Sequence, residues 1–137
     1  MREHVRSVRD LLVWQRAMDL VEICYRLTAN FPQEEKFGLK SQIRRASTSI
    51  PANIAEGFGR WNPADFARFI SIASGSLREL ETHLAISARL EFLNTSSVTS
   101  TLRQTEELAR MLYRIRKTVL TNAGLKTNNR KSSVRNK

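Results

Sequence analysis

A single cysteine, Cys24, occurs in the 137 residues of this chain. It cannot close an internal disulfide, and no second thiol is available to share a metal with it, so a reducing compartment is the natural setting. Histidine is nearly as scarce, with only His4 and His83, which leaves few parts for a metal centre or a proton shuttle. No apolar run nears the roughly 18 residues that a membrane span requires. The opening MREHVRSVRDLLVWQR has no apolar stretch of the signal-peptide kind. A cytoplasmic protein without membrane contact is expected. Aromatic residues make up only 7% of the chain, so Leu, Ile and Ala must fill the core. Acids are short as well: 13 Asp and Glu face 23 Lys and Arg, for a formal charge of +10 and a pI near 10.8. Such an excess favours a polyanionic partner, nucleic acid first, although basic surfaces also arise for solubility alone.

Strand-like alternation is hard to find, whereas apolar residues recur every three or four positions in four separate stretches. The length is that of one domain, large enough to bury a core without staples. The first stretch spans about 10–29, with Leu11, Trp14, Met18, Val21, Tyr25 and Thr28 as its seam. Val13, Ala17, Leu20, Cys24 and Leu27 lie beside that seam and widen the apolar arc to about half the circumference. That exceeds what one bundle core needs and points to a contact with another subunit. NFPQEEKFG interrupts the pattern with a turn. The second helix sets Leu39, Ile43, Ala46, Ile50, Ile54, Gly57 and Trp61 on one face, and Gly57 there admits a close neighbour. Pro51 falls off this seam and removes the N–H due to the carbonyl of Ser47, so a kink is expected, with a helix that ends at Ser47 and restarts at Ser49 as the rival reading. Ser47, Thr48 and Ser49 can satisfy freed backbone groups.

Asn62-Pro63-Ala64-Asp65 is a helix start, with Asn62 as cap and Pro63 in the first turn. The third helix reaches about Phe92 with Phe66, Ile70, Ala73, Leu77, Leu80, Leu84 and Ala88 inward. Asn94 to Ser97 supply a loop and the next cap. Thr101, Thr105, Leu108, Leu112, Ile115 and Val119 form the fourth seam, and Gly124 suits a C-terminal cap. The expected fold is all-α: an antiparallel up-and-down four-helix bundle over residues 1–124, with a disordered basic tail over 125–137.

The sequence holds few residues suited to catalysis or cofactor binding. His83 has Glu79 and Glu81 at spacings that do not make a Glu-x-x-His pair, so neither a metal nor any other cofactor is expected. The GFG at 57–59 lacks the Lys and Ser/Thr of a phosphate loop. Cys24 reads as a small core residue. Glu56 projects from the seam on the side of Arg45 and reads as an ion pair or cap; as a catalytic carboxylate it would lack a partner base. No catalytic residue is assigned.

The charges are more informative. Arg103, Arg110, Arg114 and Lys117 fall within about a quarter turn of the fourth helix, roughly opposite its apolar seam. Glu106 and Glu107 border this stripe without entering it, and a solvated face usually mixes signs. Arg44 and Arg45 form a second cluster, and Arg130 and Lys131 lie in the basic tail. These eight residues are the candidate nucleic-acid contacts. No helix-turn-helix, zinc-finger or aromatic sheet signature accompanies them, so contacts would rest on phosphates and shape.

DLLVWQRAMDL, FPQEEKFGLKSQIRRASTSIPANIAEGFGR and FARFISIASGSLRELETHL together resemble the four-helix-bundle proteins of the 23S rRNA intervening-sequence type. The resemblance covers roughly residues 10 to 120. It implies a small bacterial protein, an up-and-down bundle assembled as a pentamer, and no enzymatic activity. Two functions follow. A basic homo-oligomer could bind structured RNA or DNA through phosphates; alternatively, the bundle is a scaffold whose partner is a protein.

Overall fold

The computed structural model describes residues 7–124 of the chain. Four helices run α1 (Leu12–Thr28), α2 (Leu39–Phe58), α3 (Pro63–Arg89) and α4 (Thr95–Asn122), and no strand occurs among the described residues. The tail from residue 125, with Arg130 and Lys131, lies outside the described residues, as does His4.

Each helix packs on its two neighbours in the ring order α1-α2-α3-α4-α1, with no backbone-level contact across either diagonal among the described residues. The chain is an antiparallel up-and-down four-helix bundle. Two contacts set the direction of α2 against α3. The Ser49 and Ser76 hydroxyls are 2.8 Å apart, whereas Gly57, further along α2, meets Phe69 and Phe66, earlier in α3. Thr105 of α4 donates to a Glu81 carboxylate oxygen of α3 at 2.7 Å and ties the next pair.

The helix ends follow local chemistry. Asn62 accepts from the Ala64 N–H at 2.8 Å, and Asn94 accepts from the Ser97 N–H at 2.8 Å, so both expected caps form. Beyond α4, Gly124 takes φ 74°, the left-handed geometry that glycine adopts cheaply. Asp10 does not begin α1: Ser7 and Asp10 close a capping box around a 3-10 turn at Val8–Asp10, and α1 starts only at Leu12. α3 stops at Arg89 rather than Phe92, because Glu91 turns to φ 65° and the Phe92 N–H bonds back to Ser87.

The core is aliphatic, with Leu20, Ile43, Ile50, Ile54, Ile70, Leu77, Leu80, Leu84 and Leu112 fully enclosed. Phe31 is its one buried aromatic among the described residues, and it packs on Phe92 with ring centroids 5.6 Å apart.

Three further details differ from the sequence reading. In α1 the buried row is Val13, Ala17, Leu20, Cys24 and Thr28. Met18 and Tyr25 of the expected seam remain 37% and 41% exposed. The smaller row lets neighbouring helices approach more closely, and periodicity cannot rank two adjacent apolar rows. In α2 Pro51 is buried, not off the seam, although the helix does continue through it rather than end at Ser47. α2 packs on both α1 and α3, so its enclosed arc is wider than one stripe. Ser47 and Thr48 donate to the Arg44 carbonyl at 2.9 and 3.0 Å, while Ser49 turns to Ser76. Finally, Trp61 is not on the α2 core face. α2 ends at Phe58, the Arg60 N–H bonds to the Gly57 carbonyl, and the turn leaves Trp61 100% exposed.

Candidate nucleic-acid interface

The four cations of α4 stand where helical spacing puts them. Arg103, Arg110, Arg114 and Lys117 are all exposed, and none has an ion-pair partner among the described residues. At 1.5 Å per residue, the line from Arg103 to Lys117 extends about 21 Å along the helix. Glu106 and Glu107 are exposed beside it and take no cation from it. Arg116 turns toward the core instead, with a buried Nε that finds no partner among the described residues.

Arg44 and Arg45 do not join this surface, because α2 lies diagonally across the bundle from α4. Arg44 is half-buried and committed to α1. Its Nε donates to the Thr28 hydroxyl at 2.8 Å and its Nη2 to the Tyr25 carbonyl at 3.1 Å, with the guanidinium 4.3 Å from the centre of the Tyr25 ring. Thr28 in turn donates to the Cys24 carbonyl at 2.8 Å. The arginine thus closes the C-terminal end of α1, where a cation also suits the helix dipole. Arg45 is exposed and among the described residues reaches only Ser41, at 3.5 Å.

Glu56 is exposed, and its partner is Arg60, at 2.7 Å, not Arg45. The pair is an i,i+4 contact on a solvated face, worth a few tenths of a kcal/mol. Arg60 also stacks 5.0 Å from the centre of the Phe69 ring. His83 lies 3.5 Å from Glu79, too long for a hydrogen bond of useful strength. Both its ring nitrogens are buried without a hydrogen-bond partner among the described residues. Among the described residues no three His, Cys, Asp or Glu side chains converge. No helix among them is long and apolar enough to cross a membrane.

Sequence reasoning missed Arg60 and Trp61. They sit at the mouth of a cleft floored by Phe58 and Phe66 at the end of the bundle. The Gly57-Phe58-Gly59 ending of α2 was the available signal, since a second glycine so close to the last core position announces that the helix stops before Trp61.

No curated protein matches the chain. A crystal structure of a protein of unknown function from the S23 ribosomal protein family of Bacteroides thetaiotaomicron is similar to it. The two are 27% identical, with a TM-score of 0.70, over 77% of this chain and 99% of that one. The profile of the 23S rRNA-intervening sequence proteins matches residues 9–114, from the turn before α1 to deep within α4. Since that span holds most of the bundle, the chain belongs to the 23S rRNA-intervening sequence protein family.

Proposed function

We propose that the protein is a non-enzymatic, cytoplasmic homo-oligomer that binds nucleic acid through its phosphates. The observation that carries this reading is the α4 stripe: four exposed cations of one sign on one face, with no acid paired to any of them among the described residues. Elsewhere Arg16, Arg26, Arg60, Arg68 and Arg78 each have a carboxylate three or four residues away. An unneutralised line of this kind is an electrostatic footprint for a polyanion. The family name links its members to a 23S rRNA intervening sequence, which makes RNA the first nucleic acid to test. Arg45 offers a separate contact on another face, whereas Arg44 is committed to α1 through Nε and Nη2. Self-association rests on α1, whose Leu12, Met18 and Tyr25 stay exposed beside half-buried Trp14 and Val21. The resemblance suggests five copies.

The test is a salt titration of binding to 23S rRNA fragments, duplex DNA and single strands. Log affinity should fall with log salt by about 0.9 per phosphate contact on duplex DNA and about 0.7 on single strands. Changing Arg103, Arg110, Arg114 or Lys117 to Ala should lower the slope by about one per engaged subunit, equally across sequences. A folded quadruple variant with unchanged affinity and slope would reduce the stripe to a solvated face. The protein-scaffold reading would then lead.

A further inference from the structure

Where α2 stops and α3 begins, the bundle end opens rather than closes. Phe58, Phe66 and Val119 are shared by two adjoining cavities of about 500 and 350 Å³. The larger extends to Leu11, Ile115 and Arg114, and the smaller to Arg60, Trp61 and Pro63. Trp61 at this mouth is 100% exposed. An indole left wholly in water forgoes the apolar burial that aromatic side chains usually gain. The rim is cationic on its α4 side. Arg114 belongs to the α4 stripe, with Lys117 one turn further on, so the line of positive charge runs up to the cleft. Arg60, beside Trp61 at the smaller cavity, is stacked on Phe69 and neutralised by Glu56. The nearby acids are engaged: Glu56 with Arg60 at 2.7 Å and Asp65 with Arg68 at 3.8 Å.

We infer that this cleft takes one unpaired nucleobase of a single-stranded RNA or DNA, stacked on the Trp61 indole above the Phe58–Phe66 floor, while Arg114 and Lys117 hold the flanking phosphates. The inference rests on the phosphate-binding reading above and adds to it a preference for single strands. A nucleotide is flat and apolar on its ring faces and anionic at its backbone, and the cleft presents both complements side by side. Bases within a duplex stack on one another and offer no free face, whereas unpaired bases stack on aromatic side chains. An apolar peptide would use the floor and gain nothing from Arg114 and Lys117. Such a base contact is tolerant of sequence, because every base has a ring face.

The experiment uses the full chain with Trp14→Phe, so that Trp61 is the sole indole. Its emission is followed while a short oligothymidylate, an abasic strand of equal length and a duplex of equal length are added at low salt. Oligothymidylate should quench the emission and bind roughly tenfold more tightly than the abasic strand. In parallel, Trp61→Ala in the otherwise unchanged chain should lose that tenfold in the anisotropy of a labelled strand, while its duplex affinity holds. Full exposure of Trp61 makes this variant safe for the fold, and its helical signal and melting point check it. Equal affinity for the abasic strand and oligothymidylate overturns the base site but leaves phosphate binding standing. Binding to none of the three at low salt overturns both. Emission of the free protein that is blue-shifted and shielded from acrylamide also overturns it, since the cleft would then be covered by a second copy or by the chain's own end.

Discussion

At Gly57 a hydrogen atom stands where any other residue would set a carbon against α3. A Cβ placed there would lie 2.7 Å from the Phe69 Cβ and 3.0 Å from the Phe66 ring. Alanine gains about 1 kcal/mol over glycine inside a helix, but the Phe69 Cβ and the Phe66 backbone carbonyl are not flexible chain ends, which sets the overpacking cost toward the upper part of about 1–3 kcal/mol. Gly57→Ala should therefore lower the urea midpoint, and Gly57→Val should lower it further. Gly59→Ala is the control: its nearest neighbours are carbonyl oxygens at 3.7 Å, and its effect should stay within about 0.5 kcal/mol. Cys24, fully buried on α1, has its thiol pushed by desolvation from an ordinary 9.0 up to about 12. The folded chain thus keeps the proton while the unfolded chain loses it. That contribution is fully present below pH 9 and is lost as pH rises toward 12, by up to about 1.4 kcal/mol per pH unit. Unfolding of wild type and Cys24→Ala between pH 8 and pH 11 should show a shallower fall in the variant. A thiol reagent should modify Cys24 only after denaturant is added.

Helix α2 is the element on which the others are assembled. It packs against α3 through Gly57 and Ser49 and against α1 through Arg44. Arg44 serves three groups of α1 at once: a hydroxyl, a backbone carbonyl and an aromatic face. Arg44→Ala should cost about 2 kcal/mol, the range of hydrogen bonds to charged donors, read as a lower thermal midpoint. Arg44→Lys should recover only part of the loss, because an ammonium cannot reproduce the planar fork over Tyr25. Arg45→Ala, one residue on, should change stability by less than about 0.5 kcal/mol. The two arginines looked alike in the sequence as neighbours in one basic cluster. Only the position of the end of α1 separates them.

For the whole molecule, the surface to follow is the outward side of α1. Its buried row already satisfies the core, yet Leu12, Met18 and Tyr25 remain exposed. Light scattering at micromolar concentration should give several times the 15.7 kDa chain mass. The double change Met18→Glu and Tyr25→Glu should return the mass to that of one chain while helicity is kept. A wild-type mass of 15.7 kDa would end the assembly reading.

The spacing of apolar residues by itself determined four helices, since each amphipathic stretch must bury one side and no strand period competes with it. Asn62, Asn94 and Gly124 marked helix ends because capping is chemistry between residues close in sequence. The α4 stripe was legible for the same reason: four cations on one helix keep their mutual angle whatever the helix packs against. Tertiary structure alone decided the rest. It chose Val13, Ala17 and Cys24 over Trp14, Met18 and Tyr25 as the inner row of α1, because the depth to which neighbouring helices approach depends on both partners. It buried Pro51, since α2 is enclosed on more than one side. It separated Arg44 from Arg45, paired Glu56 with Arg60, and left Trp61 in solvent at the mouth of a cleft built from the ends of several helices. A cleft of that kind is a long-range arrangement, and helical periodicity carries no information about which helix ends will meet.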